Sequence, residues 1–353
     1  MDVFSYMAEY GYEQIVYFYD ETTGLKGITC IHNTTLGPAL GGTRLWNYST
    51  EEEALIDVLR LARGMTYKSA AAGLNLGGGK TVIIGDASKV KSEAFWRAYG
   101  RFVQSLNGRY ITAEDVNTSP EDMDYIAMET KYVTGLRQTS GDPSPVTAYG
   151  VYWGIKASCK ELFGSDSLEG RRIAVQGVGH VGYHLVKHLV NEGAQVIIAD
   201  INDQNIQKVR DEFKSVEVVN PDEIYQVDCD VFAPCALGGV INDQTIPQLK
   251  AKIVAGSANN VLEEDRHGKK LQEMGILYAP DYVINAGGVI NVYQELIGYN
   301  REEALNKTKK IYQRLLDVYQ IAKEENLTTL EAADRYAEER IKIIGEIRKN
   351  YIK

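Results

Sequence analysis

The chain has 353 residues, which is enough for two domains, since one domain typically takes ~100–200 residues. Lysine and arginine number 38 against 48 aspartates and glutamates, a formal net charge of −10. This balance argues against a nucleic-acid or anionic-membrane surface, because both need a basic patch. No apolar run approaches the ~18–20 residues of a membrane span, and the first residues lack the apolar core of a signal peptide. We therefore expect a cytoplasmic protein without membrane contact.

The first third of the chain mixes strands and helices. Two β-rich runs, 14–19 and 25–32, flank a hairpin signal at 20–24. Ser49 or Thr50 precedes three glutamates and predicts a helix N-terminus, and the apolar spacing that follows predicts a helix ending near Gly64. The other elements predicted here are short strands at 81–84 and 110–112 and a helix at 92–106 with its apolar face at Phe95, Tyr99, Phe102, Val103 and Leu106.

A break in the pattern follows at 135–145, where glycine and two prolines exclude a helix or a central strand. Beyond it, apolar strands alternate with helices, which implies a parallel, doubly wound sheet. The predicted strands are 173–176, 196–200, 231–233, 253–255 and a weaker 277–278, and the predicted helices are 146–163, 183–192 and 205–213. The segment 301–352 is predicted helical, with an apolar stripe at Ile311, Leu315, Leu316, Val318 and Ile321.

A glycine fingerprint follows the first strand of this alternation, at Gly177, Gly179 and Gly182. The first glycine permits a tight turn, the second lets a pyrophosphate approach the backbone, and the third allows the helix to pack on the strand. The next strand ends in Asp200, an acid that accepts hydrogen bonds from ribose hydroxyls and repels a 2′-phosphate. The pattern predicts an NAD site rather than an NADP site. The positions between the glycines, Val178, His180 and Val181, complete this predicted cofactor-binding stretch.

A second cluster combines Lys68 with the glycine triplet that precedes Lys80. We interpret the triplet as a turn that lets the backbone approach a ligand. Two ammonium groups in one place bind a carboxylate, and each lowers the pKa of the other, so that one can act as a base. Asp115, which follows the predicted strand at 110–113, is placed to exchange protons with an amine. The alternative for any single lysine or aspartate is a solvated surface charge.

Together the two clusters suit the oxidation of an amine. The substrate carboxylate must be fixed, the amine deprotonated, the nicotinamide laid against the α-carbon, and water activated to split the imine. Lys68 and Lys80 fit the first and last of these tasks. A protein that senses a dinucleotide without turnover is the alternative of another class, and it has no need of an acid–base set.

At these residues the chain resembles the amino-acid dehydrogenases of the glutamate, leucine, phenylalanine and valine group, with the leucine type as the nearest likeness. The resemblance covers nearly the whole chain. Its matching segments are 37–42 (GPALGG), 64–68 (GMTYK), 73–80 (GLNLGGGK), 111–115 (ITAED), 143–147 (PSPVT), 255–260 (AGSANN) and 285–292 (NAGGVINV).

The resemblance implies a role for each matching residue. Lys68 would hold the substrate carboxylate, Lys80 would activate water, and Asp115 would relay protons at the amine. Backbone neighbours of the substrate would be Gly41 and Gly77. The nicotinamide end would be held by Thr147, Asn259 and Asn260. The family fold also implies an active site in the cleft between the two domains, with the segment 135–145 as a hinge.

The side-chain pocket would be tuned at Leu40, Ala113, Val289 and Val292, because family members vary at the matching positions. Aromatic-specific relatives tend to have glycine in place of Ala113, so its methyl favours a branched aliphatic substrate over a ring. Two features look more like the tryptophan-specific branch of the family: the short loop 135–141, and Tyr293 followed by Gln294. The alternative is therefore an aromatic, tryptophan- or phenylalanine-specific dehydrogenase.

The resemblance also implies the organisation of the molecule. Residues 1–136, with a C-terminal helix at about 326–353, would form the substrate-binding, catalytic and oligomerisation domain, and residues 144–325 the Rossmann-type NAD domain. The expected partners are a small L-amino acid and its 2-oxo acid, in a homo-oligomer built from dimers, up to an octamer. We expect no metal, and the four cysteines to be buried free thiols, because none stands at metal-ligand spacing.

Overall fold

The computed structural model describes residues 1–349, which divide into two compact units. The first unit comprises 1–141, 292–299 and the described residues from 337 onwards. The second unit comprises 142–291 and 300–336.

The first unit contains a five-stranded mixed sheet, in the order β1-β2-β4-β3-β5. Its strands are β1 (Gln14–Asp20), β2 (Leu25–Asn33), β3 (Ala39–Trp46), β4 (Gly77–Ile84) and β5 (Tyr110–Glu114). The first two strands form the predicted hairpin, and β2 pairs antiparallel with β4. The central strand β3 lies parallel to both β4 and β5.

Helices cover both faces of this sheet. They are α1 (Val3–Tyr10), α2 (Glu51–Ala71), α3 (Ala87–Val90), α4 (Glu93–Ser105) and α5 (Pro120–Ala127). Apolar side chains of α2, among them Val58 and Leu59, pack with Val82 of β4 on one face. On the other face Trp96 of α4 and Met123 of α5 belong to a second buried cluster.

The helix α2 is longer than the sequence predicts. The apolar pattern predicts an end near Gly64, yet the helix passes through this glycine and continues to Ala71. Gly64 is exposed, whereas Ala62 and Thr66 on either side are buried. The buried face therefore continues, and its packing outweighs the ~1 kcal/mol by which glycine disfavours a helix interior. As a result, Lys68 lies on a helix.

The second unit contains the predicted parallel sheet, and the doubly wound topology is confirmed. Its strands are β6 (Arg172–Gln176), β7 (Gln195–Ala199), β8 (Glu217–Val218), β9 (Val231–Pro234), β10 (Ile253–Val254) and β11 (Leu277–Tyr278). They lie in the order β8-β7-β6-β9-β10-β11, all parallel. Numbered along this unit the order is 3-2-1-4-5-6, that of a Rossmann-type domain, which reverses direction between β6 and β9.

Helices account for most of the remaining chain. They are α6 (Ser144–Phe163), α7 (His180–Asn191), α8 (Asp203–Glu212), α9 (Arg266–Glu273), α10 (Asp281–Ile284), α11 (Gly287–Ile297), α12 (Arg301–Lys309), α13 (Ile311–Glu325) and α14 (Thr329–Lys349), with 3₁₀ turns at Ile224–Gln226 and Ile246–Gln248. Helix α6 begins within the predicted break, since proline is tolerated in a first helical turn.

The predicted C-terminal helical segment is three helices, and its stripe is partly wrong. The buried face of α13 consists of Ile311, Leu315, Val318, Tyr319 and Ala322, whereas Leu316 and Ile321 are only half-buried. The last four residues of the predicted helix 326–353 lie outside the described residues.

All four cysteines are free thiols, as expected, but the expected burial is wrong for one of them, Cys235. Cys30, Cys159 and Cys229 are buried, and Cys235 is half-buried. In residues 1–349 no helix is both long and apolar enough to cross a membrane.

Candidate functional site

The glycine triplet before Lys80 is part of strand β4, so the predicted turn is wrong. None of the three glycines has a positive φ. The physical reason for glycine is close packing, because a Cβ on Gly78 would lie 2.0 Å from the backbone nitrogen of Thr66 in α2. The triplet therefore lets a helix rest directly on a strand.

This contact places the two lysines on neighbouring elements. Thr66 and Gly78 touch, Lys68 lies two residues beyond Thr66, and Lys80 lies two residues beyond Gly78. Lys68 is half-buried in the last turn of α2, and Lys80 is only 4% exposed.

Lys80 forms an ion pair with Asp115. Its Nζ lies 2.9 Å from Oδ1 of Asp115, the residue directly after β5. The other carboxylate oxygen, Oδ2, accepts a hydrogen bond from Nε of Arg44 at 2.9 Å. Burial alone would raise the pKa of the Asp115 carboxyl, but the positive charges of Lys80 and Arg44 lower it to about 2. Asp115 is therefore a charged carboxylate near neutral pH.

The strand register explains why these charges meet. Side chains of alternate residues in a strand point to the same face. The register pairs Leu40 with Gly78 and with Ile111, and Gly42 with Ala113. Gly78 faces α2, so Leu40 and Ala113 lie on this face too, and the alternation extends it to Lys80, Arg44 and Asp115.

Three residues that sequence reasoning missed are connected to Asp115 by hydrogen bonds: Arg44, Asp57 and Tyr48. Arg44 on β3 donates from Nη1 to Oδ2 of Asp57 at 2.9 Å, and the hydroxyl of Tyr48 donates to the same oxygen at 2.5 Å. Spacing could not reveal them, because β3 was not predicted as a strand and Asp57 lies on a different element. The sequence offered one indication of Arg44: it lies two residues after Gly42, and alternate residues of a strand share a face.

Two predicted substrate neighbours, Gly41 and Gly77, are tightly enclosed by backbone. A Cβ on Gly41 would lie 1.7 Å from the carbonyl oxygen of Gly79, and one on Gly77 would lie 1.9 Å from that of Asn33. Packing alone accounts for both glycines. Their contact with a substrate stays a prediction.

The fingerprint glycines of the second unit occupy three different environments. Gly177 follows β6 with a φ of 86°, and its missing Cβ would lie 2.7 Å from Cβ of Ala236. A Cβ on Gly182 would lie 2.0 Å from the carbonyl oxygen of Gly177. At Gly179, in contrast, no atom would lie within 4 Å. The open position is the one that the sequence assigns to an approaching pyrophosphate.

Helix α7 begins directly after Gly179, without a side chain capping its first N–H groups. Such an uncapped helix start suits an anionic group, because the N–H groups and the helix dipole both favour negative charge. Between the glycines, Val178 is buried, Val181 is half-buried, and the His180 side chain is 87% exposed.

Asp200 ends β7 and connects it to the fingerprint turn. Its Oδ2 accepts hydrogen bonds from the backbone N–H of Val178 at 2.8 Å and from Nδ2 of Asn205 at 3.2 Å. Its Oδ1 accepts from the N–H of Asn202 at 2.8 Å. Oδ2 already accepts two hydrogen bonds, but Oδ1 accepts one and has a second lone pair, so Asp200 can hold the turn and still accept from a ribose.

The predicted nicotinamide-end residues lie at the start of helix α6 and in the loop after strand β10. Thr147 sits in the first turn of α6 and donates its hydroxyl hydrogen to the carbonyl of Pro143 at 3.0 Å. Asn259 and Asn260 are exposed. Asn285, which is buried, donates to Oδ1 of Asn259 at 2.7 Å and to the carbonyl of Ser257 at 3.1 Å. Sequence reasoning missed this support from Asn285.

Two large apolar side chains beyond the carboxyl ends of the parallel strands are exposed. Ile201 follows β7 and is 91% exposed, and Leu237 follows β9 and is 76% exposed. Ligands of doubly wound sheets bind at this end of the strands, so both residues are candidates for contact with a flat apolar ring. Neither was singled out from the sequence.

The four residues predicted to form the side-chain pocket lie on three elements. Leu40 on β3 is 2% exposed, and Ala113 on β5 is half-buried. Val289 and Val292 lie on helix α11, at 9% exposed and half-buried respectively. Tyr293 follows on the same helix and is half-buried.

The chain matches known families over most of its length. A family model described as "Glu/Leu/Phe/Val dehydrogenase, dimerisation domain" matches residues 13–132. A second, "Glutamate/Leucine/Phenylalanine/Valine dehydrogenase", matches residues 140–346.

Individual proteins show the same similarity. The chain is 63% identical to a leucine dehydrogenase of Thermoactinomyces intermedius, with 100% of this chain and 97% of that protein covered. It is 50% identical to an L-tryptophan dehydrogenase of Nostoc punctiforme, covering 97% and 96%. Its fold matches the crystal structure of L-tryptophan dehydrogenase from Nostoc punctiforme with a TM-score of 0.88 at 48% identity, over 97% of this chain and 99% of that one.

Proposed function

The chain belongs to the Glu/Leu/Phe/Val dehydrogenase family, and from this membership we propose that it catalyses the NAD-dependent, reversible oxidative deamination of L-leucine. Other branched-chain L-amino acids are included, and the products are the 2-oxo acid and ammonia. Leucine is favoured because identity is 63% to a leucine dehydrogenase and 50% to a tryptophan dehydrogenase. The observation that carries the proposal is the Lys80–Asp115 ion pair, which a protein that only bound a dinucleotide would not need.

The residues of the second unit fit a nicotinamide dinucleotide. The open position at Gly179 and the uncapped start of α7 suit its pyrophosphate. Asp200 accepts from the ribose hydroxyls and repels a 2′-phosphate, which favours NAD over NADP. We assign the nicotinamide end to Thr147, Asn259 and Asn260. When bound, the cofactor supplies the hydride acceptor for oxidation at the α-carbon.

The first unit supplies the groups that hold the substrate and move its protons. Lys68 binds the α-carboxylate. The amine must lose a proton before oxidation, and Asp115 takes it. A carboxyl with a pKa of about 2 keeps a proton only briefly, so Asp115 passes it on rather than storing it. Once Asp115 has passed the amine proton on, it accepts a proton from Lys80 across the ion pair. The neutral amine of Lys80 then takes a proton from the water that adds to the imine carbon, after which ammonia leaves.

The substrate side chain lies against Leu40, Ala113, Val289 and Val292 in this proposal. Aliphatic side chains at all four positions suit a branched aliphatic substrate. Discrimination by one or two methylenes is worth only ~1–3 kcal/mol, so activity on isoleucine and valine is expected as well.

We also propose how the chain is organised. Residues 1–136 and the C-terminal helix bind substrate, carry the catalytic groups and mediate assembly, and residues 144–325 bind NAD. The division into two compact units supports two domains with a boundary near residue 141, although residues 292–299 group with the first unit and residues 326–336 with the second. We propose that the enzyme is a cytoplasmic homo-oligomer built from dimers, and light scattering of the purified protein measures the size of the assembly.

One assay tests the proposed reaction. The protein is mixed with NAD and, in turn, leucine, valine, phenylalanine, tryptophan or glutamate at alkaline pH, and the absorbance at 340 nm is followed. We expect the highest kcat/KM with leucine, and much lower rates when NADP replaces NAD. Preference for tryptophan or phenylalanine would instead support the aromatic activity that Tyr293 and the short loop 135–141 suggest. No reduction with any amino acid would refute a dehydrogenase.

A further inference from the structure

Arg44 lies between two carboxylates in the first unit. Its Nε donates to Asp115 and its Nη1 to Asp57, both at 2.9 Å. The Arg44 side chain is 24% exposed, so these bonds are largely shielded from water. Such partly buried, charge-assisted bonds are stronger than those of an exposed ion pair.

The two oxygens of Asp115 are divided between two partners. Oδ1 faces Lys80 from β4, and Oδ2 faces Arg44 from β3. The backbone N–H of Asp115 donates to Oγ1 of Thr118 at 2.7 Å. Rotation of the carboxylate would break the hydrogen bond between Oδ2 and Arg44. Arg44 therefore fixes the orientation in which Oδ1 faces Lys80.

Arg44 is itself held in place from the other side. Asp57 on α2 accepts from Arg44 and from the hydroxyl of Tyr48 at the same oxygen. Arg44 can serve both carboxylates because its guanidinium is a rigid fork, whereas a lysine has a single ammonium on a flexible stem. Lys80 and Arg44 are positive, and Asp57 and Asp115 are negative. The formal charges of these four side chains therefore cancel.

We propose that Arg44 is a positioning residue for the deamination reaction, which holds one oxygen of Asp115 so that the other is turned towards Lys80. The proposal rests on the proposed function, since it gives the orientation of Asp115 a catalytic purpose. Asp57 and Tyr48 act through Arg44 by fixing its guanidinium. Without Arg44, Asp115 turns away from the orientation in which it passes a proton.

A kinetic cycle tests whether Arg44 acts through Asp115. The variants are R44A, D115N and the double variant, with R101A as control, because Arg101 pairs with Glu129 on the exposed side of α4. We expect R44A to lower kcat at least tenfold while the KM for leucine changes less than about threefold. In the D115N background the same change should lower kcat less than about twofold, because the positioned group is already disabled. An equal loss in both backgrounds, or a rise in KM alone, would overturn the proposal.

Two conservative variants guard against a folding defect in R44A. R44K retains the positive charge but not the forked guanidinium that donates to two carboxylates. D57N removes the negative charge that holds Arg44 and keeps the size of the side chain at position 57. We expect both to keep the thermal midpoint within a few degrees and to show an intermediate kcat. Full activity of R44K would overturn the need for a fork that holds two carboxylates.

A crystal structure of R44A, which requires no turnover, separates this proposal from the proposed function. We expect the Asp115 carboxylate in more than one orientation, or rotated away from Lys80, and in a single unchanged orientation in R101A. An unchanged Asp115 in R44A would overturn the positioning role. If the wild-type protein fails to reduce NAD with every amino acid tested, the proposed function is refuted, whatever the orientation of Asp115 in R44A.

Discussion

At the scale of single residues, the candidate chemistry depends on charges that are largely withdrawn from water. Lys80 is 4% exposed and pairs with Asp115 at 2.9 Å, and Arg44 pairs with the other oxygen of the same carboxylate. The sequence could suggest Lys68, Lys80 and Asp115 because each stands in a recognisable motif. It could not suggest Arg44 and Asp57, whose partnership arises only when β3 and α2 pack together.

Replacement of Lys80 by alanine should abolish turnover, because water is then no longer deprotonated. NADH binding should persist, since the fingerprint lies in the other unit. Stopped assays at 340 nm measure the rate, and quenching or enhancement of NADH fluorescence measures binding. K89A is the control, because the Lys89 side chain is 78% exposed and pairs with Asp86 three residues earlier. A near-normal rate in K80A would contradict the role of Lys80.

Replacement of Lys68 by alanine should chiefly raise the KM for leucine, by at least tenfold, because the lost charge holds the substrate in both the ground state and the transition state. Steady-state kinetics with leucine and with leucine amide measure the effect. Wild-type enzyme should strongly prefer leucine, whereas K68A should lose most of this preference. Equal activity of the wild type on the amide would exclude carboxylate binding at Lys68.

At the scale of elements, glycine has two different structural roles in this chain: it permits a turn, or it permits close packing of the backbone. After β6 it marks a turn, as the sequence predicts, since Gly177 has a φ of 86°. In β4 the triplet lies within a strand, because α2 and neighbouring strands leave no room for side chains. Composition alone does not distinguish these cases, because the difference depends on what packs against the backbone.

Gly78 and Gly64 form a matched pair that tests this packing. G78A should destabilise the protein by about 1–3 kcal/mol or more, because its Cβ would lie 2.0 Å from the backbone of α2. G64A should stabilise it by about 0.5–1 kcal/mol, because Gly64 is exposed within the same helix and no atom would lie within 4 Å. Urea unfolding followed by circular dichroism measures both. Equal effects of the two changes would contradict the packing argument.

A second glycine pair separates cofactor binding from folding. G179A should leave the thermal midpoint nearly unchanged but raise the KM for NAD at least tenfold, because a methyl group there faces open space in the protein and the pyrophosphate in the complex. G182A should lower the midpoint by several degrees, since its Cβ would lie 2.0 Å from a carbonyl oxygen. If G179A binds NAD normally, the pyrophosphate lies elsewhere.

At the scale of the whole molecule, the second unit was easier to predict than the first. Parallel strands buried on both faces read as apolar runs between helices, so β6, β7, β9 and β10 were recognised. In the first unit β3, α1 and α5 were missed. The run of β3 contains two adjacent glycines, which are depleted in strands, and its strand character comes from its neighbours β4 and β5.

Acid should remove a defined part of the stability of the molecule. The pKa of Asp115 is lowered from 3.8 to about 2, so the folded state favours its charged form. The lowered pKa contributes about 2 kcal/mol to the free energy of unfolding. The contribution is fully present above the pKa of the unfolded state and is lost as the pH falls towards 2. Urea unfolding of wild type and D115N between pH 7 and pH 3 measures it. We expect the wild type to be more stable at pH 7 and the gap to narrow with acid.

The control for this measurement is D203N, because Asp203 is an exposed residue in the first turn of α8. Its difference from wild type should stay small and nearly constant over the same pH range. A gap between wild type and D115N that does not change with pH would contradict the lowered pKa.

The enclosed glycines of the first unit also restrict how the enzyme can be re-engineered. A Cβ on Gly41, Gly77 or Gly78 would lie within 2.0 Å of main-chain atoms, so saturation libraries at these positions would yield mostly misfolded clones. Leu40 and Ala113 are different, because their side chains already point to the α2 face and can be exchanged without moving a strand. Libraries that test the proposed side-chain pocket should therefore vary these two positions and leave the three enclosed glycines unchanged.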